Sequence, residues 1–382
     1  MDSNFRWIRP NISLFHVDKT SQSLITILNS GDLAADFYKY AEDYFCAANC
    51  VMQHFIEEAS EKGDIAKLDL WYFSMLYIYR QSLELILKAN IFKVETSGQQ
   101  RTIILDNIQH DLNKALDELL CLKKIIELES IDVNWISNFL YDISQIDGKS
   151  DMFRYPFDKD EKNLFESQTH ISLVVTYNNM NKAYSILSDL YKTGSLTEQK
   201  FDSYVPKLII EGGDYYQQSV VGYEFAQLYY YPFFTSYVGV GNFLREKILK
   251  DSKKELFFPM CYMYRNAIEL GLKRIIMESS QIDRKKALKI LKRKKHSILS
   301  LWNSIVDEVK KYTSEATLND ASNYIKAFHG LDTYSDIFRY PCNKDLQIYF
   351  YEEVTFDIEN ISFCFIELCN FLYYVDSCIK NS

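Results

Sequence analysis

The string SDMFRYPFDKD begins at Ser150, and SDIFRYPCNKD begins at Ser335. Each copy sets an aspartate three residues before an arginine: Asp151 with Arg154, and Asp336 with Arg339. A guanidinium offers a planar fork of donors that fits a phosphate, and it stays charged when partly buried. The plainer alternative is a capping turn, in which the aspartate pairs with the arginine beside a helix end. A second set of polar residues also occurs twice. Arg80, Glu84 and Lys88 stand at i, i+4 and i+8, which places them on one helix face, and Arg265, Glu269 and Lys273 repeat the pattern. Such a face is either a solvated charged stripe, with Glu84 supporting Lys88, or a polar cluster kept for function. His110 and His296 complete the set. A lone histidine is commonly structural, yet no other side chain is better suited to proton transfer near neutral pH. One Glu, one Lys, one His and one Asp–Arg pair per copy form a kit for holding or cleaving a phosphodiester. Nothing in this kit resembles a D-x-D or H-E-x-x-H arrangement, so neither a metal nor a cofactor is expected.

The recurrence extends well beyond the opening string. Residues 75–91 (MLYIYRQSLELILKANI) match 260–276 (MCYMYRNAIELGLKRII) at nine of 17 positions, at an offset of 185. Residues 147–160 match 332–345 at nine of 14 positions, again at 185, and His110 pairs with His296 at 186. Order, spacing and residue type agree, which identifies a duplication.

Each copy must then contain the elements that position this kit. Gly (12) and Pro (6) are scarce, which argues for long helices. Apolar residues recur at helical spacing. They predict a first helix over 34–61 and 223–251, and a second over 66–94 and 253–280. A shorter helix of about 15 residues is expected from His110 and from His296. A further stretch leads to the FRYP string, where Pro156 and Pro341 bias the preceding tyrosines away from helix. Long helices over 160–192 and 345–380 close the copies. The stretch 193–217 has the Gly, Pro and polar content of a linker, with PKLII its one candidate strand. The expectation is an all-α chain: residues 1–192 as unit one with an N-terminal extension, 193–217 as linker, and 218–382 as unit two. The two bundles would pack as an intramolecular pseudo-dimer.

A net charge of −9 excludes a protein whose whole surface coats nucleic acid, so any such contact must come from a local patch. One exists. DRKKALKILKRKKH (283–296) carries eight basic residues among 14, with Ala287, Ile290 and Leu291 spaced to face inward. It ends in Arg293, Lys294 and Lys295 before His296, a landing strip for RNA or another polyanion unless it is an ordinary solvated lysine face. The corresponding stretch of unit one, GQQRTIILDNIQH, has a single arginine. The eight cysteines form no C-x-x-C pair and read as reduced, mostly buried thiols of a cytoplasmic protein. The stretch MDSNFRWIRPNISLF lacks a basic start followed by an apolar run, so no secretory signal is expected there. The most apolar stretch, 360–379, contains Glu367, Asn370 and Asp376 and reads as a core helix, so no membrane association is expected.

The segments YRQSLELILKANIF, HDLNKALDEL and DMFRYP, with YRNAIELGLKRII, HSILSLWNSI and DIFRYP, resemble the HEPN superfamily. The likeness spans most of both units. It implies four-to-five-helix bundles, and in many members a metal-independent ribonuclease acting in phage defence or toxin-like systems. It also implies a cleft to which both units contribute. There His110 and His296 would be the acid–base residues, and Arg154 and Arg339 would hold the scissile phosphate. The R-x(4–6)-H spacing of the family is not met, because the nearest arginine, Arg293, lies three residues before His296. Either the arginine arrives in space from FRYP, or the chain is a non-catalytic module that binds a nucleotide or a protein. Arg80, Glu84, Lys88, Asp151, Arg265, Glu269, Lys273 and Asp336 are the expected ligand-binding residues, with RNA or nucleotide as the ligand. A homo-oligomer or a partner protein from a defence operon is the implied company.

Overall fold

The computed structural model describes residues 6–123, 131–157, 165, 167–195, 205–222 and 230–382. In chain order the elements are β1 (Leu24–Ile27), α1 (Leu33–Lys62), α2 (Ala66–Leu70), α3 (Tyr72–Val94), α4 (Gly98–Ile108), α5 (Leu112–Leu122) and α6 (Ile131–Asp147). Next come β2 (Thr169–Ser172), α7 (Leu173–Thr193), β3 (Gln218–Val221), α8 (Tyr230–Asp251) and α9 (Phe257–Arg274). The last are α10 (Arg284–Lys294), α11 (Ile298–Trp302), α12 (Val306–Val309), α13 (Glu315–Leu331), β4 (Val354–Asp357) and α14 (Ile358–Lys380). The chain is mostly helical, as composition and periodicity predict.

Two compact units form. The described residues within Asn29–Gln227 and Tyr340–Tyr351 make the N-terminal unit; those within Met1–Leu28, Leu228–Arg339 and Glu352–Ser382 make the C-terminal unit. This division departs from the expected one in four places. The N-terminal extension belongs with the C-terminal unit, where β1 pairs antiparallel with β4 from Leu24↔Asp357 to Ile27↔Val354. Residues 340–351 belong with the N-terminal unit. There the Asn29 amide donates to Phe350 O at 2.9 Å, and Asn29 Nδ2 to Pro341 O at 3.2 Å. The described part of the expected linker is built into the same unit. Leu208 N donates to Asp142 Oδ2 at 2.8 Å. The first described residues of the expected unit two go with it, as β3 pairs antiparallel with β2 from Thr169↔Val221 to Ser172↔Gln218. Residues 196–204 of that linker lie outside the described residues, as do 158–164 and 223–229, where two predicted helices begin.

In the N-terminal unit α3 is the central helix, packed by α1, α5 and α7. It is buried almost all round, as a helix with apolar residues on every face must be. In the C-terminal unit α9 takes that place, packed by α8, α11 and α14. Helix α14 is long and apolar enough to cross a membrane by composition, but 61% of its most apolar window is buried within the fold, where it serves as a core helix. The closing helices are shorter than predicted, because each is preceded by a four-residue strand, and Ser172 and Asp357 cap the helix N-termini. The expected helix after His296 is split into α11 and α12 around Asn303 and Ser304, which are weak helix formers. Helix α9 runs on into a π-helical turn, Ile275–Ser279.

Candidate functional site

In the N-terminal unit, three of the predicted residues lie on α3 and none is solvated: Arg80 is 0% exposed, Glu84 1% and Lys88 6%. The solvated-stripe reading is thereby corrected. The helix is central, so a polar stripe on it is internal and has to be satisfied internally. Arg80 Nη1 donates to Glu84 Oε2 at 2.5 Å, and Lys88 Nζ to Glu84 Oε1 at 2.6 Å. Arg80 Nη2 donates to the carbonyl of His110, and the Nδ1 of that histidine lies 3.0 Å from Glu84 Oε1. Burial pushes the Glu84 carboxyl up, yet Lys88, His110 and Arg80 together hold it well below the usual carboxylate range. An ionised carboxylate only accepts, so His110 Nδ1 carries a hydrogen, and Nε2 is the basic nitrogen of the neutral ring. The His110 side chain keeps 38% of its surface exposed while its partner keeps 2%.

His110 does not start a helix. It sits in the turn between α4 and α5, and Asp111 is the cap of α5. The preceding Gln109 has φ 48° and ψ −107°, a conformation that costs a non-glycine residue about 1–3 kcal/mol. That sharp bend lets one residue present its carbonyl to Arg80 and its ring to Glu84.

Asp147, the last residue of α6, joins this cluster to the FRYP string. Its Oδ1 accepts from the amides of Asp151 (2.7 Å) and Met152 (3.0 Å), and its Oδ2 faces Arg80 Nε at 3.3 Å. Burial raises its carboxyl despite Arg80 and those amides. Arg154 turns back on its own loop: Nε donates to Ser150 O at 2.5 Å and Nη2 to Asp151 Oδ1 at 2.8 Å. It is 3% exposed, and Ser150 takes a left-handed φ of 60° to close the turn. The structure therefore brings Arg80, Glu84, Lys88 and His110 together directly, and joins Asp151 and Arg154 to them through Asp147.

The C-terminal unit repeats this geometry residue for residue. Arg265 Nη1 donates to Glu269 Oε2 at 3.2 Å and Nη2 to His296 O at 2.7 Å. Lys273 Nζ lies 2.7 Å, and His296 Nδ1 3.0 Å, from Glu269 Oε1. Burial pushes the Glu269 carboxyl up, but Lys273, His296 and Arg265 hold it well below its usual range. Lys295 before the histidine has φ 49° and ψ −111°, matching Gln109. Asp332 faces Arg265 Nε at 3.6 Å and accepts from the amides of Asp336 and Ile337 at 2.7 and 3.3 Å. Arg339 donates to Ser335 O at 2.6 Å and to Asp336 Oδ1 at 2.8 Å, beside the left-handed Ser335. The basic stretch forms α10, capped by Asp283. Ala287 is buried, Ile290, Leu291 and Lys294 are half-buried, and Arg293 and Lys295 are exposed.

Asp147, Asp332 and Tyr340 escaped the sequence-based choice of site residues. Asp147 and Asp332 are identical across the repeat, and so are Tyr155 and Tyr340, so the repeat itself held the signal. In the N-terminal unit the Tyr340 hydroxyl donates to Glu84 Oε1 at 2.7 Å. Among the described residues no group of three or more His, Cys, Asp and Glu is placed to hold a metal ion. No family model, no curated protein and no solved structure matches the chain.

Proposed function

We propose that this protein binds RNA or nucleotide phosphate and cleaves RNA without a metal, using His110 and His296 as acid–base residues. The observation that carries this reading is the histidine–glutamate pair, made twice. In each unit an imidazole 35–38% exposed is held through Nδ1 by a buried, ionised carboxylate. The Nε2 of a base so oriented takes the 2′-hydroxyl proton as the 2′-oxygen attacks phosphorus, the bond from phosphorus to the 5′-oxygen breaks, and the imidazolium returns the proton to that leaving oxygen, while lysine and arginine charge around the site offsets the developing phosphorane. Helix α10, with Arg293, Lys294 and Lys295 leading into His296, supplies the long-range attraction for a polyanion. The proposal extends to the two units as copies of one HEPN-like bundle paired within a chain, and to a role in phage defence or a toxin-like system; both rest on the repeat and the motif resemblance.

The second reading is a non-catalytic module that binds a nucleotide or a protein. It is favoured by the burial of Arg154 (3% exposed) and Arg339 (5%), each bonded within its own turn, where it braces the loop. Purified protein incubated with total RNA in EDTA separates the two. The first reading expects 2′,3′-cyclic phosphate ends, with the rate cut at least about 100-fold in the His110→Ala/His296→Ala double variant. Intact RNA after prolonged incubation with folded wild-type protein sinks the ribonuclease, and nucleotide binding by that same protein then supports the module.

A further inference from the structure

The geometry points to Tyr340, a residue of the second FRYP copy, as the positioning residue for His110 in the N-terminal unit. Segment Tyr340–Tyr351 folds with that unit, although its sequence belongs to the second repeat. The Tyr340 hydroxyl donates to Glu84 Oε1 at 2.7 Å and lies 3.4 Å from His110 Nδ1. Its ring sits 6.4 Å from the imidazole at an interplanar angle of 30°, and the Lys88 ammonium lies 4.7 Å from its centroid. Tyr340 is itself buried, at 7% exposure. One oxygen, Glu84 Oε1, thus receives Lys88, Tyr340 and His110 together.

Three donors on one carboxylate oxygen share its charge. Tyr340 takes part of what would otherwise fall on the imidazole, while its ring walls off the lysine and the carboxylate from water. Among the described residues, the charged and titratable groups around His110 include Glu84, Lys88 and Arg80 from α3, Asp147 from α6 facing Arg80, and Tyr340. Of these, the tyrosine is the one whose removal leaves the buried charges unchanged. Tyr340 therefore sets how strongly Glu84 holds the imidazolium form, and with it the pH at which His110 can act as a base. The site of the first repeat is incomplete without a side chain of the second.

This assignment rests on the proposed acid–base role of His110, but its test does not need activity. In full-length protein the His110 ring is followed by NMR across pH, its resonance identified by its loss in His110→Gln. Tyr340→Phe keeps the ring and removes one donor from Glu84. The His110 midpoint should rise by about half to one pH unit, a fraction of the roughly 1–2 units that one hydrogen bond to a charged group is worth. His296, whose carboxylate is Glu269, serves as the internal control and should keep its midpoint. Tyr340→Leu removes the covering ring as well, and the Nδ1 proton of His110 should then exchange with water faster than in the wild type. A His110 titration unchanged or lowered in Tyr340→Phe, with His296 steady, overturns the proposal. If RNA is never cleaved, the acid–base role falls and the titration still decides what Tyr340 does.

Discussion

The two carboxylates of each polar cluster differ in kind. Glu84 is ionised because Lys88, His110 and Arg80, joined by the Tyr340 hydroxyl, outweigh its desolvation, whereas Asp147 has one guanidinium at 3.3 Å in poor alignment, and burial prevails. Replacing Glu84 by glutamine keeps the shape but leaves the Lys88 charge buried without its counter-ion and Arg80 with Asp147 alone. Breaking a buried pair in this way costs about 3–5 kcal/mol. Asp147→Asn keeps the acceptor for the Asp151 and Met152 amides and removes a charge that burial already disfavours. It should cost clearly less at pH 7, as measured by urea unfolding. The sign of the pH dependence follows. The Glu84 carboxyl is depressed in the fold, so its contribution is complete above the unfolded value of about 4.3 and is lost as pH falls through the lower folded value. The gap between wild type and Glu84→Gln should not shrink from pH 7 to 5, where protonation of His110 beside the carboxylate widens it, and should close only at more acid pH. A gap already closing near pH 6 would mean that Glu84 is not held ionised.

At the scale of elements, the site depends on two bends. Gln109 and Lys295 each end an α-helix in a conformation that glycine adopts without penalty, and each is followed by the histidine. Gln109 is exposed, so its strain serves no packing of its own side chain. Gln109→Gly should therefore raise stability by about 1 kcal/mol, while Gln109→Val should lower it. A glycine variant that unfolds at lower urea than the wild type would show that the bend is not strained. These bends were not legible in the sequence, because nothing about a glutamine or a lysine announces a positive φ. The long helices were, since α1 and α3 follow apolar periodicity within a few residues. The strands β2 and β4 were not, because four residues such as VTFD are too short to break a helical pattern, although Val354, Thr355 and Phe356 are strand formers. The residues of the site were legible through the repeat. Their burial was not, because Arg80, Glu84 and Lys88 have the spacing of any solvated i, i+4 ladder.

At the scale of the molecule, the chain passes between its units after residues 28, 227, 339 and 351. A sequence comparison that slides one half along the other cannot see such exchanges, because the partners lie hundreds of positions apart. The N-terminal segment is the clearest case. Arg9 Nε donates to Glu367 Oε1 at 2.6 Å, and Glu367 also accepts from the Tyr324 hydroxyl at 2.8 Å. Asn360 Nδ2 donates to the carbonyls of Ser13, Leu14 and His16 at 3.0, 3.3 and 3.2 Å. Trp7 meets Phe371 and Tyr374 edge-on at 5.7 and 5.1 Å, and Ile8 and Leu14 are buried. Removing residues 1–16 would strip α14 of these apolar contacts, each buried aliphatic side chain contributing about 1.5–3 kcal/mol. It would also leave the 1%-exposed carboxylate of Glu367 without its arginine. The truncated chain should therefore lose hydrogen-exchange protection most strongly in α13, β4 and α14, which carry every one of these partners or pair with the strand that follows. Arg9→Met, which keeps the aliphatic cover and removes only the ion pair, should produce a smaller loss confined to the surroundings of Glu367. Protection in α13 and α14 that matches the full chain after truncation would mean that the segment merely rests on the C-terminal unit.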